Sequence, residues 1–135
     1  MTSNAYRSKF EGSVAQGLRS RKLGFEFEPE SFEFVQPSKP RKYTPDFKLS
    51  KLGTYVECKG KFTKEDRDKL LWVREQNPEL DLVLHFMRAN NFIRKGSKTR
   101  YKDWADKNNF QWFDWEHERD EFFNFASGKA AERGK

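Results

Sequence analysis

The sequence predicts one domain of the α/β (α+β) class, built on a mixed β-sheet flanked by helices. Its 135 residues suit one compact domain rather than two independent ones. The segment 63–76 has a helical pattern and lies between a strand-like stretch that ends at Lys59 and an apolar run that starts at Leu80. Strand, helix and strand in this order are typical of a crossover unit, so we expect parallel as well as antiparallel strand pairs.

The N-terminal part of the chain predicts a helix followed by strands. The helix is expected over about 8–22, since Phe10, Val14 and Leu18 form one apolar stripe. Ser8 and Glu11 match the capping-box pattern at its start. Two phenylalanine-rich pieces follow within 25–35, and their alternation predicts extended strands.

A proline-rich segment at about 35–44 comes next, and we expect it to be a stiff, extended bridge. Pro37 and Pro40 cannot lie in the centre of a sheet, because proline has no N–H to donate to a neighbouring strand. A core over about 45–113 and a C-terminal segment over about 114–135 complete the predicted organisation. Their remaining elements are a short helix capped by Thr99, a strand at 110–113, a helix at 116–126 and a frayed tail.

Composition and charge favour an intracellular, soluble protein that binds a polyanion. The net charge is +6 and the sequence pI is about 9.4, which favours nucleic acid as a partner. The 14 Phe residues argue against disorder, and some of them are expected to face a second copy of the chain. One cysteine excludes an internal disulfide and fits a reducing compartment. No stretch of membrane-spanning length and no signal-peptide core are visible, so no membrane is expected as a partner.

The segment TPDFKLSKLGTYVECKG predicts two strands joined by a tight turn, with three polar groups close together. Glu57 and Lys59 share one face of the second strand, since side chains alternate along a strand. Asp46 lies on the first strand and can sit beside Glu57. Two neighbouring carboxylates favour a hard divalent cation, and Mg²⁺ suits them, with the backbone carbonyl of Cys58 as a further ligand and Mn²⁺ as a substitute. The alternative is an ordinary hairpin with an ion-paired, solvated face.

Lys59 has two conceivable roles beside such a cation. It can orient a water or hydroxide for in-line attack on phosphorus, or it can neutralise the charge that builds on the pentavalent phosphate. If a second ion binds, the pair can stabilise the attacking and the leaving oxygens together.

Several stretches together resemble one family. Asp46, Glu57 and Lys59 look like the PD-(D/E)xK nuclease motif. More closely, the chain resembles the phage endonuclease I family of Holliday-junction resolvases through YRSKFE, YTPDF, VECKG, REQNPELD and RKGSKTRY, which come in the family's order. The stretch REQNPELD has no catalytic reason to match, so common descent explains the similarity better than coincidence.

The resemblance implies a restriction-endonuclease-like fold and a phage enzyme that works in the infected host cell. It implies Glu11 as a fourth acidic site residue that could hold a second ion, although a capping role alone would also explain Glu11. It further implies an intertwined, domain-swapped homodimer in which the bridge carries the N-terminal helix onto the partner. Each site would then combine Glu11 of one chain with Asp46, Glu57 and Lys59 of the other.

Other chemistry-bearing residues carry weaker signals. His85 is expected to be a core residue and His117 a surface residue, neither of them with metal-site neighbours. Cys58 is expected to fill the core, as strand cysteines usually do. The sequence has no glycine-rich phosphate loop, GKS/T motif or serine-nucleophile motif, so no small-molecule cofactor is expected.

Eight basic residues are expected to contact the DNA backbone: Arg7, Lys9, Arg41, Lys42, Arg67, Arg94, Lys95 and Lys98. A solvated surface is the alternative for each. Three functions remain open from the residues and the resemblance. They are a Mg²⁺-dependent endonuclease that makes paired nicks in branched, four-way DNA, another PD-(D/E)xK endonuclease of the restriction or repair type, and a non-catalytic basic DNA-binding domain.

Overall fold

The computed structural model describes residues 6–36 and 39–128, so Pro37 and most of the expected frayed tail lie outside the described residues. The described elements in chain order are α1 (Lys9–Ser20), β1 (Phe25–Phe27), β2 (Phe32–Gln36), β3 (Lys39–Tyr43), β4 (Phe47–Leu49), β5 (Thr54–Lys59), α2 (Lys64–Gln76), β6 (Leu82–Phe86), α3 (Tyr101–Lys107), β7 (Gln111–Asp114) and α4 (Arg119–Ala126). None of the helices in these residues is long and apolar enough to cross a membrane.

The main sheet is mixed, as the sequence predicted. Its five strands have the order β1-β4-β5-β6-β7. The β1–β4 and β4–β5 pairs are antiparallel, whereas β5–β6 and β6–β7 are parallel. Helix α2 connects the parallel strands β5 and β6. This is the crossover that the strand–helix–strand order predicted. Strand β5 therefore lies at the centre of the sheet, with a partner on each side.

Two hydrophobic clusters hold the sheet between layers of helices. On one side α2 and α3 pack through Leu70 and Ala105, against Leu82 and Leu84 of β6. The alternation along β6 sends its other side chains into the second cluster, which includes α1, α4 and the buried Cys58. A strand that is buried on both faces reads as a continuous apolar run, which is why 82–86 has that composition.

The proline-rich segment contains a regular extended strand, β3. Within the single chain, β2 and β3 form a separate antiparallel pair in which Val35 lies opposite Pro40. Proline is tolerated there because a two-stranded sheet has only edge strands. The pair docks on α2, since the Gln76 side chain accepts a hydrogen bond from Val35 N (2.6 Å) and donates one to Val35 O (3.0 Å).

The starts of three helices can be compared with the sequence predictions. Thr63 caps α2 in a full capping box with Asp66, as expected of its N-terminus. Helix α3 is capped by Arg100 and not by Thr99. Helix α4 begins later than predicted, because a turn between β7 and α4 is held by Asp114, whose backbone oxygen accepts a hydrogen bond from Glu118 N.

Candidate active site

Strand pairing brings Asp46 and Glu57 side by side, as the sequence predicted. Phe47 lies opposite Val56 in the antiparallel β4–β5 pair, so Asp46 and Glu57 occupy the next position of the register. The carboxylate of Asp46 accepts a hydrogen bond from the backbone N–H of Cys58 at 2.8 Å. Both acids are buried, with exposed fractions of 6% and 7%. Two buried, adjacent carboxylates repel each other, and a cation between them would relieve that repulsion.

The pKa of Asp46 is raised by its burial and by the neighbouring negative charges. Burial is the main cause that raises its pKa to about 8, and the charges of Glu57 and Glu11 raise it further. The N–H of Cys58 and the ammonium of Lys59 act in the opposite direction but do not compensate. The raised pKa shows that the site lacks positive charge, which a bound cation would supply. Because the donors are hard carboxylate oxygens, they fit a divalent cation such as Mg²⁺.

Lys59 sits between two carboxylates and stays charged. Its Nζ lies 3.3 Å from an oxygen of Glu57 and 3.2 Å from an oxygen of Asp66. Burial opposes the ammonium form, but the two carboxylates outweigh burial and raise the pKa of Lys59. An ammonium can donate hydrogen bonds and stabilise negative charge, but it cannot accept a proton.

Glu11 meets the same site from helix α1 of the same chain. Its backbone N–H donates to Ser8 Oγ (3.1 Å), as expected for the N-cap, but its carboxylate accepts from Arg7 N (3.2 Å) and not from Ser8 N. The reciprocal half of the expected capping box is therefore absent. Burial is the main cause that raises the pKa of Glu11, the hydrogen bond and charge of Arg7 oppose it, and the charge of Glu57 raises it further.

Two residues of the site were not predicted from the sequence. The phenol of Tyr43 donates a hydrogen bond to Glu57 Oε1 at 2.7 Å, and both groups are buried. Asp66 is the second partner of Lys59. Tyr43 belongs to the quoted YTPDF stretch, so a signal for it existed. In the sequence, Asp66 has only the position expected of a capping-box residue after Thr63, and that role alone explains its presence.

The side chain of Cys58 is a neutral core group. Burial raises the pKa of Cys58 well above its ordinary value, and the neighbouring charge of Asp46 adds to the effect. The thiol stays neutral and packs in the second cluster, as predicted for a core residue.

Most of the basic residues expected to contact DNA are exposed. Arg94 and Lys95 line a surface groove together with Lys61, which follows β5. Arg41 and Lys42 line a second groove that also includes Asp66, and Arg7 and Lys9 lie on a groove beside α1. Lys98 is exposed as well. Arg67 departs from the expectation, since it is buried and its guanidinium donates to Phe62 O at 2.8 Å. The guanidinium of Arg67 therefore has a structural partner inside the protein.

The two histidines have different surroundings. His85 is fully buried as predicted, and burial lowers its pKa to about 3, so it is a neutral core residue. His117 is exposed as predicted, but the expectation that it has no metal-site neighbours was wrong. Asp114, Glu116 and His117 offer ligand atoms that all lie within 4.8 Å of one another, which is close enough to hold a metal ion. The turn after β7, which brings them together, was not visible in the sequence.

The comparison with known protein families identifies the chain. The family model for phage endonuclease I matches residues 1–118. The chain belongs to the phage endonuclease I family. It is 40% identical over 103 residues to endodeoxyribonuclease 1 of Enterobacteria phage T3, which covers 76% of this chain and 67% of that protein. It is 38% identical over 110 residues to endonuclease I of Escherichia phage T7, which covers 82% of this chain and 73% of that protein. The resemblance to this family that the sequence motifs indicated is therefore confirmed.

The raised pKa of Asp46 leads to a prediction about pH in this member of the phage endonuclease I family. A carboxyl whose folded-state pKa is raised from 3.8 to about 8 stabilises the fold fully at low pH, and this stabilisation is lost as the pH rises through about 8. We expect the metal-free protein to lose thermal stability between about pH 6 and about pH 9, and Mg²⁺ to raise Tm more at the higher pH. Scanning calorimetry with and without Mg²⁺ at both pH values measures this.

Matched variants isolate the source of this pH dependence. Asp46→Asn is expected to be more stable than the wild type above about pH 8 without metal and to lose most of the response to Mg²⁺. Glu79→Gln alters an exposed carboxylate outside the site and should behave like the wild type. A wild-type response to pH and Mg²⁺ in Asp46→Asn would contradict the assignment.

Proposed function

We propose that this chain is a divalent-metal-dependent DNA endonuclease that cuts four-way and other branched junctions as a homodimer. The observation that carries the proposal is the pair of buried carboxylates Asp46 and Glu57, with the half-buried Lys59 ion-paired to Glu57, in a member of the phage endonuclease I family. The names of the phage T3 and T7 relatives support an endonuclease that acts on DNA. Membership of this family favours the proposal over a restriction or repair enzyme and over a non-catalytic module.

Asp46, Glu57 and the backbone carbonyl of Cys58 are the residues that we propose hold Mg²⁺, with Glu11 as a ligand of a second ion. Mn²⁺ is expected to substitute, since it accepts the same oxygen ligands. When bound, the cation supplies positive charge to phosphate oxygens and lowers the pKa of a bound water. The carboxylates supply the negative charge that holds the cation, while burial keeps bulk water from screening them.

The raised pKa of Lys59 is compatible with both roles that the sequence left open for it, since each of them needs a charged ammonium. Because Glu57 and Asp66 keep the ammonium protonated, Lys59 is not the group that removes a proton from water. Its Nζ is instead proposed to donate hydrogen bonds, which can hold the attacking water and stabilise the negative charge of the pentavalent phosphate. Asp66 and Glu57 fix the position of Nζ by ion pairs on two sides.

The exposed basic residues are proposed to position the DNA backbone. Grooves that contain Lys61, Arg94 and Lys95 on one side and Arg41 and Lys42 on another both border residues next to the site. Phosphate contacts fix the position of DNA but carry no base information. Selection would therefore rest on the arrangement of helices at a branch point. The paired nicks require two sites at a fixed distance, which a homodimer supplies.

The homodimer is proposed to be domain-swapped. Strand β2 ends at Gln36 and β3 begins at Lys39, so an exchange requires only that these strands pair between two chains instead of within one. Helix α1 would then make with the partner chain the same contacts with the main sheet that it makes within a single chain. Glu11 would reach Asp46 and Glu57 of the partner in the same arrangement that one chain already forms.

Cleavage of a four-way junction tests the proposal. The protein is expected to make paired nicks in the junction in the presence of Mg²⁺ or Mn²⁺ and none in EDTA, with linear duplex of the same sequence cut much more slowly. Equal cleavage of junction and duplex would indicate another type of nuclease. Junction binding without any cleavage in Mg²⁺ would indicate a non-catalytic DNA-binding protein.

A further inference from the structure

Tyr43 is a buried polar group whose contact with the site has no role in the function proposed so far. It ends strand β3 and is 2% exposed. Its hydroxyl donates to Oε1 of Glu57 at 2.7 Å. A phenol is seldom buried without a partner, because an unpaired hydroxyl costs free energy. Here the partner is the carboxylate that is proposed to hold the cation.

The two oxygens of Glu57 are held by different groups. Oε1 accepts from Tyr43, and Oε2 lies 3.3 Å from Nζ of Lys59. Glutamate has three side-chain torsions, and these two contacts restrict the last of them. Each carboxylate oxygen has two lone pairs, so each retains one that can bind a cation. The phenol therefore orients Glu57 without occupying its binding capacity.

We propose that Tyr43 is a positioning residue, whose hydroxyl holds Glu57 in the orientation that binds the divalent cation. This inference rests on the proposed function only in taking Glu57 as a cation ligand. Groups that hydrogen-bond to metal ligands typically change metal affinity by a factor of 10–100 when they are removed, although they do not touch the metal. Tyr43 differs from Glu11, Asp46 and Lys59 in acting only through another side chain.

The position of Tyr43 also connects the β2–β3 pair to the cation site. Tyr43 lies opposite Phe32 in this pair, and Asn77 at the end of α2 donates to Glu33 O at 2.9 Å. The hydroxyl of Tyr43 is therefore in place only when β3 is docked beside the main sheet. Tyr43 and Glu57 both follow residue 38, so they stay in one chain whether or not the preceding segment is exchanged with a partner.

Direct titration of Mn²⁺ into the full chain without DNA tests the inference. Tyr43→Phe removes only the hydroxyl and is expected to weaken the Mn²⁺ affinity of the site about tenfold. Tyr55→Phe is a matched control, because its hydroxyl also donates to a glutamate on the same side of the sheet, but that glutamate is Glu30, outside the site. Mn²⁺ binding of Tyr55→Phe should equal that of the wild type.

A second measurement separates positioning from general loss of structure. In a Glu57→Ala background, Tyr43→Phe should cause no further loss of Mn²⁺ affinity, since the hydroxyl acts through Glu57. In junction cleavage, Tyr43→Phe should need about tenfold more Mn²⁺ for half-maximal rate and recover near wild-type rate at saturation. A general structural defect would lower the saturated rate instead.

Three results would overturn the inference. They are wild-type Mn²⁺ affinity in Tyr43→Phe, an equal loss in Tyr55→Phe, and Mn²⁺ binding by the wild type that survives Glu57→Ala unchanged. A failure of the proposed function looks different. In that case the wild type would bind Mn²⁺ in a manner that depends on Glu57 and Tyr43, yet would leave the junction uncut.

Discussion

Lys59→Ala is expected to lower the rate of junction cleavage in Mg²⁺ by about a hundredfold to a thousandfold, while junction binding persists. The reason is that, among the described residues, Lys59 is the only lysine whose ammonium pairs with Glu57, and a second ion pair with Asp66 holds it there. Its loss removes a donor that acts on charge developing in the transition state. Single-turnover cleavage measures the rate, and a gel-shift assay in Ca²⁺ measures binding.

One variant for comparison and one control accompany this experiment. Glu57→Ala is expected to lose at least as much activity as Lys59→Ala, because it removes a proposed cation ligand and an ion-pair partner of Lys59. Lys64→Ala is the control, since Lys64 is an exposed lysine paired with Asp68 at the start of α2. Cleavage by Lys59→Ala at the rate of Lys64→Ala would sink the assignment of Lys59.

The second large effect is expected when two inactive variants are combined in one dimer. Glu11→Ala and Glu57→Ala homodimers should each be inactive. If Glu11 acts on the partner chain, the mixed dimer has one site with both residues intact and one site with neither. It should then nick one strand of a cruciform plasmid at about the rate of one wild-type site, and should not linearise the plasmid.

Co-expression with two different affinity tags gives the mixed dimer, and the products are separated on an agarose gel. The control mixes Glu57→Ala with Lys59→Ala, which both lie on β5, so neither arrangement leaves an intact site. An inactive Glu11→Ala/Glu57→Ala dimer would show that each site lies within one chain. A protein that sediments as a monomer at assay concentrations would contradict the dimer itself.

Local patterns predicted the hairpin that brings Asp46 and Glu57 together. A turn between two alternating stretches specifies the β4–β5 hairpin, and a period of two places Glu57 and Lys59 on one face. The helix with its Thr63 cap and the buried run at 82–86 are equally local, so the mixed sheet followed from them.

The remaining parts of the site depend on contacts between distant elements, for which local patterns carry no information. Tyr43 donates to Glu57 only because the end of β3 packs against the main sheet, and Glu11 feels the charge of Glu57 only because α1 packs in the second cluster. For Glu11 the family motif supplied what the local pattern could not. The prolines predicted an extended segment, but they carry no information on which strand pairs with it, so the β2–β3 pair was not predicted.

The candidate site draws on both hydrophobic clusters of the domain. Glu11 comes from the helix packed in one cluster, whereas Tyr43 and Asp66 come from elements packed against the other. During synthesis α1 emerges long before α2, so an incomplete chain holds only part of the catalytic groups. Activity would then appear only after both sides of the sheet have packed, and a nascent or partly unfolded nuclease would be harmless to the DNA around it.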